Sequence, residues 1–243
     1  MTRTNFMHAG EEKKVQVQKM FDGIAHRYDF MNHFLSLGID KRWREKAIDY
    51  VNPKDGELIL DVASGTGDQG FSALEKANVR VVGCDYSINM LKVGKRKIIE
   101  KHKENDFLMI QGDAENLPVT AESFDAVMIS YGIRNVGNIK QSLQEFYKAL
   151  KPGGRVVILE FSEPTAPLFA SLYQFYFNMV LPRLAGLFSN KSAYTYLPES
   201  VKHFPSRHEI KGIMEIVGFE NNVHKDLTFG ITSIFYGEKP LST

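Results

Sequence analysis

The chain carries a single cysteine, Cys84, among 243 residues. One thiol cannot close an intrachain disulfide, which excludes the disulfide-stapled domains of small secreted proteins. Charge of one sign is missing too: 30 Lys and Arg face 29 Asp and Glu, for a net charge of +1. A dominant nucleic-acid surface is therefore not expected, and no nucleic-acid partner is predicted. The N-terminal MTRTNFMHAGEEKK has no apolar core, and it is too acidic and too poor in arginine for a transit peptide. The expected location is the cytoplasm. The seven histidines show no ligand spacing with the cysteine or with clustered carboxylates, so no metal site is expected. One stretch, from Pro164 to Pro182, lacks charge altogether. Its length reaches the roughly 17–20 residues that a membrane span needs at minimum. Pro164, Pro167, Gln174, Asn178 and Pro182 punctuate it, and no stop-transfer flank follows, so it reads as a buried or interfacial helix.

What is present is ordinary globular composition, with 43% hydrophobic and 24% charged residues. The first fifty residues read as helical: Val15, Met20, Phe21 and Ile24, then Trp43, Ala47, Ile48 and Val51, recur near helical spacing. After the breaker loop 52–56, Leu58 to Val62 is a short continuous apolar run, as expected of a parallel strand covered on both faces. Further strands are predicted at Arg80–Asp85, Phe107–Gln111, Phe124–Ser130 and Arg155–Phe161, the last preceded by a tight turn at Lys151-Pro152-Gly153-Gly154. Helices are predicted up to Lys76, from Met90 to about His102, over Ile139–Leu150 and near Arg207–Val217, with closing strands at Phe219–Leu227 and Ile231–Tyr236. Strands alternating with helices across 57–162 argue a parallel sheet with right-handed crossovers.

Two motifs suggest a nucleotide-like ligand. Asp61-Val62-Ala63-Ser64-Gly65-Thr66-Gly67-Asp68 directly follows a strand, and its glycines allow a tight turn and close backbone approach. Asp85 ends the next strand, about 20 residues on, where a carboxylate can accept both hydroxyls of a ribose. The competing role for Asp85 is to cap the helix starting near Ser87. Gly65-x-Gly67-x-x-Gly70 also satisfies the dinucleotide pattern literally, so that motif alone leaves a dinucleotide enzyme open.

Three later segments decide the matter. They are Gly112-Asp113-Ala114-Glu115-Asn116-Leu117-Pro118, Ser123-Phe124-Asp125-Ala126-Val127, and Leu150-Lys151-Pro152-Gly153-Gly154, and with the glycine loop they resemble the class I S-adenosyl-L-methionine-dependent methyltransferases. Further segments sharpen this: Tyr28-Asp29-Phe30-Met31-Asn32, Ser36-Leu37-Gly38 with Trp43, and Ser130-Tyr131-Gly132-Ile133-Arg134-Asn135-Val136. Leu159-Glu160-Phe161-Ser162, Tyr194-x-Tyr196-Leu197 and Leu227-Thr228-Phe229-Gly230-Ile231 complete the set. Over about residues 20–238 the chain closely resembles the quinone-biosynthesis C-methyltransferases, with Ala63 in place of the superfamily's usual first glycine.

The resemblance implies a Rossmann-like α/β fold: a seven-stranded, mostly parallel sheet with helices on both faces. It comprises an N-terminal helical cap (1–52), a cofactor-binding core (57–162), an apolar substrate-side insertion (163–205) and a C-terminal helix and strands (206–243). It implies S-adenosyl-L-methionine as cofactor, with Gly65, Thr66, Gly67, Asp85, Met90, Asp113, Ala114 and Ser130 as binding residues. The implied substrate is a polyprenylated quinol, most directly demethylmenaquinol, with 2-methoxy-6-polyprenyl-1,4-benzoquinol as the alternative. From other classes, the alternatives are an RNA or protein methyltransferase and a non-catalytic cofactor-binding scaffold. Arg134 and Asn135 are placed at the reacting carbon, Arg134 as an electrostatic activator of the ring oxyanion and Asn135 as an amide donor, with Tyr28 and Asp29 closing the pocket. A structural bond from Arg134 to Glu160 or Asp29 is the competing reading. Phe169, Tyr173, Phe175, Tyr176, Phe177 and Phe188, with a stripe at Leu168, Leu172, Phe175 and Met179, suggest a prenyl channel or peripheral contact with the inner face of the plasma membrane. A second copy of the chain is a further candidate partner.

Overall fold

A computed structural model describes residues 10–165 and 191–241, and the sheet at its centre explains the apolar runs of the sequence. Three helices come first: α1 (Gly10–Ile24), α2 (Tyr28–Leu35) and α3 (Ile39–Val51). Then β1 (Leu58–Val62), α4 (Asp68–Lys76), β2 (Arg80–Asp85), α5 (Ile88–Glu100), β3 (Phe107–Gln111), β4 (Phe124–Ser130), α6 (Ile139–Ala149) and β5 (Leu150–Phe161) follow. The chain closes with α7 (Lys191–Lys202), α8 (Arg207–Val217), β6 (Glu220–Leu227) and β7 (Thr232–Glu238). The sheet order is β3-β2-β1-β4-β5-β7-β6. Strands β1 to β5 pair in parallel, and β7 runs antiparallel to both β5 and β6.

Side chains alternate across a strand, so a strand covered on both faces must be apolar at every position. Ile59 of β1 and Ala126 and Met128 of β4 pack on one side with Trp43, Ala47 and Ile48 of α3 and Phe71 of α4. Leu60, Val62, Val127 and Ile129 pack on the other with Leu143 and Phe146 of α6 and Ile210 and Met214 of α8. Asp61 shares the face of Ile59, beneath the helical cap. The sheet order reverses between β1 and β4, and the carboxyl ends of the strands at such a reversal form the crevice in which open α/β sheets bind ligands.

Two local expectations are corrected. Between β3 and β4, residues 112–123 form a loop carrying an isolated bridge between Asp113 and Asn116. The Lys151–Gly154 turn is not detached from the fifth strand: β5 begins at Leu150, pairs there with Phe124, and takes a register shift, with Gly153 at φ +76°. The last two strands start one residue later than their apolar runs. Of the predicted insertion, Phe169, Tyr173, Phe175, Tyr176, Phe177, Phe188, Leu168, Leu172 and Met179 lie outside the described residues. Among the described residues no helix is long and apolar enough to cross a membrane.

Helix α4 must approach β3 closely to aim its N-terminus at the crevice. Gly70 permits this, since a Cβ there would run into the Phe107 ring. Gly70→Ala should lower stability by about 1–3 kcal/mol, the usual cost of overpacking a core. Denaturant unfolding checks this, and adding Phe107→Leu should give a double mutant more stable than the sum of the single losses.

Candidate active site

At the carboxyl end of β1 the chain turns through Ala63, Gly65 and Gly67, all with positive φ (+50°, +57° and +89°). Ala63 is strained in this region. Its Cβ also explains Gly132 on the neighbouring strand end, where an added Cβ would lie 2.5 Å from it. Gly67 precedes α4 and offers no side-chain cap to the first amides of that helix.

The crevice is a half-open cleft between the strand-end loops and α1. Gly65, Asp85, Met90, Asp113, Ala114 and Ser130 line it, as does Asn135. These residues come from four separate loops, and the structure brings them together as the sequence predicted. Asp85 does more than face the ligand space. Its Oδ2 accepts the Gly65 N–H at 2.7 Å and its Oδ1 the Ser87 N–H at 2.8 Å, which ties the glycine loop to the start of α5. The cap of α5 is Ser87, whose hydroxyl accepts the Met90 N–H. Burial pushes the Asp85 carboxyl up to about 6, against the pull of those two amides.

Other predicted residues lie elsewhere. Gly67 packs under Met109 and Phe107 and lines no cavity described. Thr66 lines a smaller cavity beside the cleft, and its hydroxyl donates to Asp29 Oδ1 at 2.6 Å. The second Asp29 oxygen accepts from Lys97 at 3.1 Å, so Asp29 locks the cap to the glycine loop instead of facing a substrate. Tyr28 lines both the cleft and the smaller cavity. Asn135 donates to the Tyr131 carbonyl at 3.2 Å and accepts the Tyr196 hydroxyl at 2.8 Å.

Arg134 is 7% exposed and lines a neighbouring cavity that shares Val136 with the cleft. Its Nη1 donates to Glu160 Oε1 at 2.5 Å and to the Tyr131 carbonyl at 2.8 Å, and its Nε donates to Ser200 Oγ at 3.2 Å. Glu160 Oε2 also accepts the Arg134 N–H. The structural bond weighed for this residue is therefore present, to Glu160 and not to Asp29.

Sequence reasoning missed the contribution of α1. Lys14, Val17, Gln18 and Phe21 fall at i, i+3, i+4 and i+7 and line the cleft with one helix face. Lys14 pairs with Asp113 at 2.8 Å, Ser87 donates to Asp22 at 2.5 Å, and Lys13 donates to the carbonyls of Arg134 and Val136. Burial, with the Arg134 charge adding to it, lowers the Lys13 ammonium to about 8. The signal for this face is that mixed polar and apolar spacing, which a purely apolar periodicity does not contain.

A cleft at the sheet reversal, with a carboxylate at the end of β2 and an acid after β3, is the arrangement of an adenosine site. The sequence profile of the ubiE/COQ5 methyltransferase family matches residues 7–239. This chain belongs to that family. A Geotalea daltonii protein named ubiquinone/menaquinone biosynthesis C-methyltransferase UbiE is 47% identical over 230 residues, covering 94% of this chain and 98% of its own. A Thermus thermophilus protein named demethylmenaquinone methyltransferase is 44% identical over 223 residues, covering 91% of this chain and 100% of its own. The solved structure of the [4+2]-cyclase SpnF superposes with a TM-score of 0.73 at 14% identity, covering 99% of this chain and 100% of that one, a likeness of fold alone. The ubiE/COQ5 family member described here is an S-adenosyl-L-methionine-dependent C-methyltransferase of quinone biosynthesis. The cleft fits that cofactor on its own terms: beyond the Asp85 acceptor, the Ser130 hydroxyl is buried on its wall without a partner.

The Arg134–Glu160 pair has a direct consequence for mutagenesis. Removing one partner of a buried ion pair leaves an uncompensated charge and costs about 3–5 kcal/mol. Arg134→Met should be destabilised on that scale in urea unfolding, and Arg134→Met combined with Glu160→Leu should recover a large part of the loss.

Proposed function

We propose that this enzyme methylates a ring carbon of demethylmenaquinol. The observation that carries the reading is the joint lining of one cleft by Asp85, Asp113, Ala114, Tyr28 and Asn135 in a chain 44–48% identical to relatives with quinone-methyltransferase names. S-adenosyl-L-methionine supplies an electrophilic sulfonium methyl group. Asp85 accepts the ribose hydroxyls, and Asp113 with Ala114 takes the adenine edge. Ser130 and Met90 complete the wall.

On the acceptor side, Tyr28 and the hydrogen-bonded Asn135–Tyr196 pair confine the ring. The enzyme's task is to hold carbon and methyl at near-attack distance and to keep water out. Arg134 acts chiefly through position. Its charge is largely neutralised by Glu160, and its bonds to Tyr131 and Ser200 hold the 131–136 turn against α7. The neighbouring cavity, with Val136, Ile139, Phe204 and Ile213 on its wall, offers apolar surface for the start of a prenyl chain. Such a substrate resides in lipid, so we also propose peripheral contact with the membrane during turnover.

Incubating the enzyme with methyl-labelled S-adenosyl-L-methionine and reduced demethylmenaquinone, beside 2-methoxy-6-polyprenyl-1,4-benzoquinol, tests this reading. Label should enter the naphthoquinol; label confined to the benzoquinol would move the assignment to that substrate. The Asp85 role has its own pH signature. The ionised carboxylate, present above about pH 6, is the form that accepts both hydroxyls. The ratio of wild-type to Asp85→Asn affinity for the cofactor should therefore be constant above pH 7. It should shrink toward tenfold per pH unit below about 6, as one proton competes with the ligand. Calorimetric titration from pH 5 to pH 8 measures this ratio.

A further inference from the structure

Two cations stand where the cleft meets the neighbouring cavity, and only one of them is neutralised. Arg134 is paired with Glu160 at 2.5 Å. Lys13 Nζ instead donates to two carbonyls, that of Arg134 at 2.7 Å and that of Val136 at 2.9 Å. Carbonyl dipoles hold an ammonium in place but do not cancel its charge. Among the described residues no carboxylate touches Lys13, and Glu115 and Glu160 act on it only from farther away. An ammonium has three N–H donors. Among the described residues the two carbonyls are its only acceptors, so one N–H is left for a ligand.

The position of Lys13 matters because of what its partners line. Lys13 itself lines the neighbouring cavity, Val136 lines both spaces, and Asn135, between the two carbonyl partners, lines the cleft. The ammonium therefore stands between the space assigned to the ring and the space assigned to the prenyl chain. The charged and titratable groups facing it are Arg134 and Glu160, Glu115 from the loop after β3, Lys140 of α6, and Tyr196 and His203 of α7. Burial, and then the Arg134 charge, disfavour the ammonium; the two glutamates favour it, and the balance leaves Lys13 at about 8. Burial pushes the Tyr196 hydroxyl up to about 12, so it stays protonated at cellular pH. Lys140 and His203 are exposed, and water screens them. A group titrating near 8 both takes and returns a proton near neutral pH, which a lysine at its ordinary value near 10 does poorly.

We propose that Lys13 is the proton partner of the quinol: its Nζ takes the proton of the ring hydroxyl beside the reacting carbon and then, as an ammonium, holds the oxyanion. The O–H bond breaks with its electron pair left on oxygen, and the lone pair of the amine forms the new N–H bond. Amine with hydroxyl and ammonium with oxyanion differ only in the place of one proton, and the second form makes the ring carbon nucleophilic. When the oxygen takes that proton back, the amine is restored. The hydrogen displaced from the ring carbon goes to water as the one proton released by methylation. The proposal rests on the quinol reading and adds to it a group from the helical cap, which is then part of the reacting site and not only a cover over it.

The test is anaerobic turnover, at saturating cofactor and from pH 6.5 to pH 10, of whichever quinol takes the methyl label. Wild-type kcat/KM should rise tenfold per pH unit up to about 8, where Lys13 titrates, and level off above it. Lys13→Arg keeps the charge and donors for both carbonyls but does not ionise in this range. Its profile should lose the break at 8 and climb on toward about 10, where a phenolic hydroxyl ionises unaided. Lys13→Met should lose at least about tenfold in kcat below pH 8, while its affinity for S-adenosylhomocysteine, which reports the fold, stays within threefold. If Lys13→Met does not fold, the Lys13→Arg profile decides. Acetylation of Lys13 in the wild-type protein, followed by peptide mass spectrometry, gives a readout independent of turnover: adding menaquinol should slow it at least fivefold. A break at 8 that survives in Lys13→Arg, a folded Lys13→Met with near wild-type kcat, or no protection by menaquinol overturns the Lys13 role and leaves the quinol reading standing. A wild-type protein that methylates neither reduced demethylmenaquinone nor 2-methoxy-6-polyprenyl-1,4-benzoquinol overturns that reading, and the Lys13 role with it.

Discussion

Everything at this site depends on the parallel pairing of β1 with β2 on one edge and with β4 on the other. Parallel pairing sends every strand end of the core to the same side of the molecule, and the change of direction at β1 opens a gap between the loops there. The glycine loop, Asp85, Asp113 and the Ser130–Val136 turn are far apart in the chain but leave adjacent strands at one level. The register makes this concrete: Val62 of β1 lies opposite Cys84 of β2 and Ile129 of β4, so the next residues of all three strands meet over the same space. A slip of one residue in either pairing would send Asp61 to the opposite face.

Helix α1 closes that space by polar tethers more than by apolar burial. Lys13, Lys14, Gln18 and Asp22 reach three strand-end loops, through bonds to Val136, to Asp113, and to Tyr86 and Ser87 of the loop after β2. Val17, Met20 and Phe21 pack with Tyr196, and Ile24 is buried at the end of the helix. A cover held this way opens at lower cost than one sealed into the core. The cofactor must enter and its product must leave, so a cover of this kind suits turnover. The tethers also mean that α1 reads the positions of the loops after β2, β3 and β4.

Four aspartates around the cleft illustrate how surroundings assign roles to one residue type. Asp29, beside Lys97 and Thr66, is a structural latch. Asp85, buried but holding two amides, is pushed up to about 6 and still ionises at neutral pH. Asp61, buried more completely, is pushed to about 8. Asp113 is bonded to Lys14 of the cover. None of these differences follows from spacing along the chain, because each is set by what is packed against the carboxyl group.

The local and periodic features were legible in the sequence. Leu58–Val62 and Phe124–Ser130 read as buried parallel strands because both faces of each must be apolar. The positions of Gly65, Asp85, Asp113 and Ser130 at strand ends followed from those strands, and the structure brings all four to one cleft. The Ser206–Glu209 capping box and Gly218 at φ +110° similarly bound α8 where the sequence placed it. What the sequence could not decide was which long-range partner each polar side chain takes. Arg134 sits at the predicted strand end, yet its guanidinium turns to Glu160 and Ser200 because those groups arrive there from β5 and α7. Nor does helical spacing show that Arg44 is buried: the packing of α3 over the sheet removes its guanidinium from water and lays it over the Tyr131 ring.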